Sequence, residues 1–278
     1  MHTFETPGPT TLTVRSGAGD ITVNAGETQR TTVELTALNA AGEDAVAEAR
    51  VEQQRSGILV DIPRHRSGLF RPHPAVAIVV TCPTGSTIDL RAESADVNAT
   101  GTFAEAVVTT GSGEVEVEDV TGTAKLKSGS GKVSAGRVGK AAVISTGSGD
   151  VSLEHSGRTA SLTVGSGDIR IGEVTGDAVA KTGSGDVEVD RLGGTLMTKS
   201  GSGDLVVRRA TSGAVKANGA SGSITIGVEQ GTAAWLDVST LTGRVIQELD
   251  QTGAPTDGQQ RVEITAHTVS GNLRVHRS

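Results

Sequence analysis

The sequence contains very few aromatic residues: no Tyr, three Phe and one Trp occur among its 278 residues. A layered globular core usually includes several aromatic rings, whereas a thin core between stacked strands is filled by Val, Ile, Leu and Ala. A cleft that binds polysaccharides would also need rings on which sugars stack, so the composition disfavours a polysaccharide-cleaving enzyme.

The sequence also lacks the signals of secretion, membrane insertion and nucleic-acid binding. Its single cysteine excludes an internal disulfide and fits a reducing compartment. The net charge of −7 disfavours nucleic acid as a partner, because phosphate contacts need a basic surface. The longest apolar run, Ala75 to Val80, is far shorter than the roughly 20 residues of a membrane-spanning helix, and no secretory signal follows Met1. We therefore expect a cytoplasmic protein without a membrane span.

Glycine, in contrast, is abundant, with 38 residues, and much of it lies in one repeated turn. The turn reads Gly-Ser-Gly-Asp-Val in its clearest copies and recurs at an interval of 18 residues. A fixed period of this kind is typical of repeat architectures, in which each unit buries its apolar residues against its neighbours. The fourth position of the turn is occupied by Asp96, Glu114, Lys132, Asp150, Asp168, Asp186 and Asp204, and looser copies place Asp20, Ser223, Arg244 and Asn272 there.

Two rows of apolar residues follow this turn. They alternate with polar residues, and a period of two with β-branched side chains predicts a β-strand. A second strand follows in each copy, with small inward residues. The first row is Val97, Val115, Val133, Val151, Ile169, Val187, Leu205, Ile224, Val245 and Leu273; the second is Ala99, Val117, Ala135, Leu153, Ile171, Val189, Val207 and Ile226; the second strand contributes Ala124, Ala142, Ala160, Ala178 and Leu196.

Together these features predict an all-β solenoid with about 18 residues per coil. At roughly 3.3 Å per residue one repeat traces about 59 Å, enough for a coil of two or three short strands, and successive coils stack about 4.8 Å apart. The glycines on both sides of the serine allow the positive φ values that a sharp corner needs. We expect the Asp that follows them to accept a hydrogen bond from the backbone N–H groups of its own turn.

The period is absent from the first 91 residues, and a different arrangement is predicted there. We assign residues 1–74 to a small α/β N-terminal cap and residues 75–278 to a solenoid that continues from it. Solenoids need capped ends because an exposed edge strand invites pairing with other chains. At the other end we expect residues 261–278 to supply the closing strands, with a polar tail that blunts the end, and Trp235 to fill the interior.

Three local patterns support the cap. Residues 43–49 (EDAVAEA) predict a short helix, with Asn39 or Gly42 near its start. Residues 50–62 alternate on either side of a Ser-Gly pair, which predicts a β-hairpin. Residues 64–74 form a basic loop that contains proline.

The repeats resemble those of the bacterial "putative adhesin" family of unknown function. Three further stretches are similar to that family: residues 4–7 (FETP), 82–86 (CPTGS) and 231–238 (GTAAWLDV). The resemblance extends over nearly the whole chain. It implies a right-handed, single-stranded β-helix with no assigned catalytic activity, and it offers no functional residues to transfer.

The stacked carboxylates at the corner are the most distinctive candidate site. Carboxylates about 4.8 Å apart repel one another unless solvent, a cation or local hydrogen bonds compensate. Calcium is one candidate, since it binds carboxylate and carbonyl oxygens in flexible geometry, but the Asp directly follows the Gly here, unlike in the calcium-binding β-roll repeat. We therefore favour a role in stabilising the corner over a metal site. These residues are Asp150, Asp168, Asp186 and Asp204.

A second candidate is a run of basic residues between Thr121 and Ser148, a stretch without any acidic residue. Such a run would suit an anionic partner, although dispersed surface charge that aids solubility is the simpler interpretation. The run consists of Lys125, Lys127, Lys132, Arg137 and Lys140.

No motif indicates catalysis, a metal site or a cofactor. An acidic group at residues 114–119 suits a solvated strand edge better than a pair of catalytic carboxylates. Cys82 ends an apolar strand and is expected to be a buried thiol that behaves as a small hydrophobic residue.

We therefore predict a non-catalytic solenoid scaffold that presents a ladder surface to another macromolecule, expected to be a protein. Two alternatives stay open: a solenoid that self-assembles into oligomers or fibres through its ends, and a calcium-binding protein related to the β-roll. Capped ends favour a monomer or a small homo-oligomer. Outward residues of the ladder surface are Glu116, Ser152, Arg170, Glu188 and Val206.

Overall fold

The computed structural model describes residues 1–63, 73–249 and 260–278. They divide into two compact units, an N-terminal unit of Met1–Gly139 and a C-terminal unit of Lys140–Ser278. In each unit two sheets of short strands enclose a narrow aliphatic core. The predicted all-β solenoid is thereby confirmed, and each regular coil contains two strands, one in each sheet.

The N-terminal unit has two sheets, which we call sheet I and sheet II. Sheet I has the strand order β1-β4-β7-β3-β9-β11-β13, and sheet II has the order β12-β10-β8-β2-β6-β5. The elements of this unit are β1 (His2–Glu5), β2 (Thr11–Arg15), β3 (Ala18–Gly26), β4 (Arg30–Ala37), α1 (Ala40–Ala47), β5 (Arg50–Gln54), β6 (Gly57–Asp61), β7 (Ala75–Pro83), β8 (Thr87–Arg91), β9 (Ser94–Phe103), β10 (Glu105–Thr110), β11 (Val115–Val120), β12 (Thr123–Ser128) and β13 (Val133–Val138).

The coil formed by β2 and β3 is stacked out of chain order. Strand β2 pairs in parallel with both β6 and β8, and β3 pairs in parallel with both β7 and β9. Asp20 is therefore in register with Asp96, which confirms the early copy of the turn. Strands β6 and β7 form a neighbouring coil beside β2 and β3 rather than interrupting the ladder. A boundary between cap and solenoid at residues 74 and 75 stays a prediction.

The helix and hairpin predicted near the N-terminus are confirmed. Of the two predicted start positions, the structure selects Asn39, which caps α1: its Oδ1 accepts a hydrogen bond from the Gly42 N–H at 2.7 Å. Strands β5 and β6 pair antiparallel as a hairpin. Of the predicted basic loop, residues 64–72 lie outside the described residues.

The C-terminal unit likewise has two sheets, which we call sheet III and sheet IV. Sheet III has the order β15-β17-β19-β21-β23-β27-β25, and sheet IV has the order β24-β26-β22-β20-β18-β16-β14. The strands are β14 (Ala141–Ser148), β15 (Val151–Ser156), β16 (Thr159–Ser166), β17 (Ile169–Val174), β18 (Asp177–Ser184), β19 (Val187–Leu192), β20 (Thr195–Ser202), β21 (Leu205–Ala210), β22 (Gly213–Ser221), β23 (Ile224–Val228), β24 (Ala233–Thr240), β25 (Val245–Glu248), β26 (Arg261–Ser270) and β27 (Leu273–Arg277).

The last coil in space is not the last coil in sequence. Strand β26 pairs in parallel with both β22 and β24, and β27 pairs in parallel with both β23 and β25. The prediction that residues 261–278 close the stack is therefore wrong: they form the coil before the last, and β24 and β25 are the edge strands. The C-terminal tail is held inside this arrangement, since Arg277 Nη1 donates to the carbonyl oxygen of Thr232 at 2.8 Å.

The predicted apolar rows form the core. All residues of both rows and of the second strand are at most 5% exposed, except Val245. Val245 is 40% exposed because it lies in the edge strand β25, where no further coil of the described residues covers it. A repeated strand pattern with period two thus translates directly into a continuous column of buried aliphatic side chains.

The two glycines of each corner have different roles. In the regular copies of the C-terminal unit the second glycine has a positive φ, +143° at Gly167 and +145° at Gly185, a conformation that strains any residue with a Cβ. The expectation of a positive φ at both glycines is wrong for the first one: among the described repeats, the first glycine does not have a positive φ. The first glycine is instead required by close stacking, because a Cβ on Gly183 would lie 2.6 Å from the Gly165 carbonyl oxygen.

Candidate functional site

The corner aspartates link each coil to the next. Asp150 Oδ1 accepts a hydrogen bond from the backbone N–H of Asp168 at 3.0 Å, and Asp168 Oδ1 accepts one from Asp186 at 2.9 Å. The series continues from Asp186 to the N–H of Asp204 at 2.7 Å and from Asp204 to that of Ser223 at 2.7 Å. These four carboxylates therefore form a row of inter-coil hydrogen bonds.

The predicted hydrogen bond within the same turn is wrong, and the stacking explains why. Parallel coils place the N–H of the next corner directly beside each carboxylate, so the carboxylate reaches an N–H 18 residues further on. The partial positive charge of each N–H offsets part of the repulsion between the carboxylates along the row. Within the described ranges, no three His, Cys, Asp or Glu residues are arranged to hold a metal ion.

A row of buried hydroxyl groups lies directly behind the corner. Thr110 Oγ1 donates to the Ala95 carbonyl oxygen at 3.1 Å, and Ser128 Oγ donates to the Gly113 carbonyl oxygen at 2.8 Å. This row is not among the sequence predictions, although the sequence carries a signal for it. The signal is a Ser or Thr immediately before the Gly-Ser-Gly motif in most copies, namely Thr110, Ser128, Thr146, Thr182 and Ser200.

The structure does not bring the five candidate basic residues onto one surface. Lys125 and Lys127 are exposed on β12 in sheet II, whereas Lys132 precedes β13 and Arg137 lies on β13 in sheet I. Lys140 belongs to the C-terminal unit. Only Lys125 and Lys127 therefore share a strand and a face.

Two residues of the acidic group at 114–119 are engaged in separate contacts. Arg137 Nη2 lies 3.1 Å from Asp119 Oδ2, and this hydrogen bonding, with the attraction of the arginine charge, lowers the pKa of Asp119. Glu118 Oε2 accepts a hydrogen bond from the Gly101 N–H at 2.6 Å. Both carboxylates thus support the coil locally, as expected for a strand edge.

The outer face of sheet III is a network of ion pairs. Arg170 lies 3.6 Å from Glu188, and Arg208 contacts both Glu188 and, at 3.0 Å, Asp190. Hydrogen bonding to Glu188, and the two negative charges, raise the pKa of Arg208. The predicted outward positions of this unit are confirmed as one row in register: Ser152, Arg170, Glu188 and Val206.

The outer face of sheet IV has a different composition. The ion pairs that the described residues of this unit form all lie along sheet III. Sheet IV instead presents mostly small and uncharged side chains. One row is Val143, Ser161, Val179, Met197, Lys216, Thr265 and Asp237, and the next is Ser145, Thr163, Lys181, Lys199, Asn218, His267 and Ser239.

Several large apolar side chains are exposed on or beside sheet IV. Val143 is 45% exposed and Met197 is 37% exposed. Trp235, predicted to fill the interior, is 74% exposed, so this prediction is wrong. The reason is the alternation along β24, which points Leu236 and Val238 inward and Trp235 outward.

Cys82 is confirmed as a buried thiol, with no exposed surface. Burial raises the pKa of this thiol, and a hydrogen bond with Ser86 opposes the effect in part. A thiol of raised pKa is a poor nucleophile, so Cys82 acts as a small core residue.

The described helical residues include no segment with the length and apolarity that crossing a bilayer requires.

A family model described as Toastrack DUF4097 matches residues 6–157 and, a second time, residues 138–276. No curated protein matches the chain.

Three solved structures are similar to the chain over nearly its full length. One is a putative cell adhesion protein from Clostridium sporogenes, with 11% identity and a TM-score of 0.29, covering 100% of this chain and 98% of that chain. Another is a putative adhesin from Bacteroides fragilis, with 15% identity, a TM-score of 0.37 and coverages of 98% and 96%. The third is a putative adhesin from Parabacteroides distasonis, with 11% identity, a TM-score of 0.42 and coverages of 99% and 95%.

Proposed function

The chain belongs to the Toastrack DUF4097 family, and from that premise we propose that it is a non-catalytic scaffold whose C-terminal unit binds another protein. The family match confirms the resemblance predicted from the Gly-Ser-Gly-Asp-Val repeats. The proposed binding surface is the outer face of sheet IV. The observation that carries the proposal is the contrast between the two outer faces of this unit.

The outer face of sheet III is poorly suited to form an interface. Its charges already neutralise one another, as in the Arg170, Glu188 and Arg208 group. Covering such a network would remove water from several charges without supplying better partners, and that desolvation opposes binding. This face is better suited to keeping the coil soluble.

The outer face of sheet IV has the features of a protein-binding surface. Its centre is Met197, an exposed and adaptable side chain of the kind enriched in interface cores. Lys199 lies on the same strand, and Lys216 is in register with Met197 on the next. No carboxylate among the described residues pairs with either lysine, so both remain available to a partner.

The chemistry of this face indicates the kind of partner. An apolar centre flanked by unpaired lysines complements a protein surface that carries apolar side chains and carboxylates. The acidic residues Asp177, Asp237 and Glu263 lie towards its margins. With a net charge of −7, the chain as a whole repels a nucleic acid.

A scaffold role without catalysis agrees with how the carboxylates are used. The corner aspartates accept hydrogen bonds from neighbouring coils, and Glu188 and Asp190 are held by Arg208. Groups that are committed to structural contacts in this way are not poised for proton transfer.

Site-specific photocrosslinking in the source cells tests the proposal. A benzophenone amino acid replaces Thr163, which is exposed on sheet IV, or Ser152, which lies on sheet III. We expect a discrete crosslinked protein from position 163 and none from position 152. The additional change Met197→Glu should abolish the product because it places a charge at the apolar centre.

The matched control for that change is Val206→Glu on sheet III, which should leave the crosslink from position 163 intact. Equal products from both faces, or a product that survives Met197→Glu, would contradict the proposed surface. Circular dichroism of each variant is the control that tests whether the coil is preserved.

A further inference from the structure

The edge coil of the C-terminal unit, formed by β24 and β25, exposes residues that other coils bury. Val245 is 40% exposed, although Leu273, the residue in register with it on β27, is fully buried. Leu236 and Val238 point inward on β24 but are only half-buried. The apolar column of the core therefore reaches the surface at this end.

Further apolar side chains surround the same end. Trp235 is 74% exposed, Leu241 78% and Ile246 40%. Among the described residues, β24 and β25 each pair with one strand only, so each presents unpaired backbone N–H and C=O groups along its outer edge. Apolar side chains and open strand edges thus occur together.

The edge strands of the N-terminal unit are protected differently. The edge strand β1 carries Glu5, which lies 2.8 Å from Arg30 of β4. The edge strand β5 carries Arg50 and Glu52, whose side chains contact each other at 3.5 Å. Charged residues on an edge strand are a typical device against strand pairing. Strand β24 carries only one charged residue, Asp237, among its eight residues.

We infer that the edge coil pairs with the edge coil of a second copy of this chain. A two-fold axis perpendicular to the direction of stacking makes each edge strand antiparallel to an edge strand of the other copy. Both open edges are then used, so the assembly closes at two copies and does not grow into a fibre. This inference goes beyond the proposed function and uses a different surface.

The size of the end face is adequate for a dimer. Strand β24 has eight residues and is about 26 Å long at roughly 3.3 Å per residue. Two sheets about 10 Å apart, with their outer side chains, make the end about 20 Å thick. Pairing two such faces buries about 1,000 Å² in total, which reaches the lower limit for a specific interface.

Charge selects among the possible registers of the β24 pair. Residues that face each other in an antiparallel pair lie on the same side of the sheet. A register centred on Asp237 would set two carboxylates opposite each other and is disfavoured. A register centred on Val238 places Asp237 opposite Ser239, and it brings the exposed Trp235 opposite the exposed Leu241 of the second copy.

Light scattering during size-exclusion chromatography tests the dimer over about 1 to 100 µM full-length protein. We expect the mass to rise from the 28.1 kDa of one chain to twice that value and then to stay constant. Trp235 is the single tryptophan, so its emission should shift to the blue over the same concentration range. A mass of one chain at all concentrations, or a mass that grows beyond two copies, would overturn the inference.

Variants locate the interface. Leu241→Lys changes an exposed residue at the end and should weaken dimerisation about tenfold or more. Met197→Lys, on the same unit but away from the end, should leave it unchanged. Equal effects of both changes on dimerisation would contradict the assignment of the interface to the edge coil. If the photocrosslink is lost while the dimer stays intact, the proposed function fails and the dimer does not, so the two proposals can be distinguished.

A disulfide test checks the register independently. Val238→Cys should form an intermolecular disulfide under mild oxidation, because it faces its own copy across the two-fold axis. Ser161→Cys, on β16, should not form one, and the native Cys82 does not interfere since it is buried. A crosslink from Ser161→Cys with none from Val238→Cys would contradict the proposed pairing.

Discussion

Asp168 accepts, at Oδ1, a hydrogen bond of 2.9 Å from the backbone N–H of Asp186, one coil further along the chain. The same relationship joins Asp150 to Asp168 and Asp186 to Asp204. The acidic residue of the repeat thus connects adjacent coils at the corner, where the strand ladders are interrupted.

The first prediction concerns this hydrogen bond. Asp168→Ala should lower the free energy of unfolding by about 1 kcal/mol, because the Asp186 N–H loses its acceptor. Asp168→Asn keeps an oxygen acceptor and removes one charge from the row, so it should cost much less. Urea unfolding measures both, with calcium and with a chelator. A loss that occurs only in the presence of calcium would contradict a purely structural role.

The second prediction concerns the positive-φ glycine of the corner. Gly185→Ala should cost about 2 kcal/mol or more, because Ala is strained at this φ and its Cβ would collide with the Gly167 carbonyl group. Gly219→Ala is the control, since its Cβ would meet no atom closer than 3.6 Å. Similar thermal unfolding midpoints for the two variants would show that the corner tolerates a side chain.

The third prediction compares two serines at the same position of the repeat. Ser128 Oγ donates to the Gly113 carbonyl oxygen at 2.8 Å, whereas Ser200 Oγ is buried without a hydrogen-bond partner among the described residues. Ser128→Ala should therefore cost about 1 kcal/mol and Ser200→Ala close to nothing. Chemical denaturation measures both, and equal costs would mean that the hydroxyl row does not contribute through its hydrogen bonds.

The fourth prediction concerns alkaline pH. Burial raises the pKa of Cys82 in the folded state, so the unfolded chain loses this proton at lower pH than the folded chain. The contribution to stability is fully present below the ordinary thiol pKa of about 8.5 and is lost as the pH rises through the folded-state pKa. The stability of the wild type should therefore fall more steeply above that pH than the stability of Cys82→Ala.

Unfolding curves measured at several pH values give this comparison. Parallel pH profiles for the two proteins would contradict the assigned shift. A thiol reagent provides a second check, since Cys82 should react with it only when the chain unfolds.

The core was predictable from local pattern because each coil repeats the same alternation of inward apolar and outward residues. Val151 and Leu153 alternate with outward residues, Ile169 and Ile171 do so 18 residues later, and all four are buried. The corner was also predictable as a corner, from its glycines. The hydrogen-bond partner of the corner carboxylate was not predictable. The N–H group that donates to Asp168 belongs to Asp186, and the two residues come close only after the coils have stacked.

Trp235 shows the limit of composition as a guide. A lone tryptophan in an apolar stretch suggests a core residue, but the pairing of Leu236 with Ile264 sets which side of β24 faces inward. Trp235 therefore points outward. The candidate basic residues illustrate the same limit, since Lys127 and Arg137 are near in sequence but lie in different sheets.

The sequence by itself determined the coil: its length, its two strands, its buried rows and its glycine corners, because these follow from alternation and backbone conformation within about 18 residues. Only the tertiary structure decided the order in which the coils stack. It placed β2 and β3 between two later coils, and β26 and β27 inside β24 and β25. The physical reason is that every coil presents the same inward pattern and the same backbone edges. Local pattern therefore cannot distinguish one neighbour from another, and the choice depends on packing at the ends.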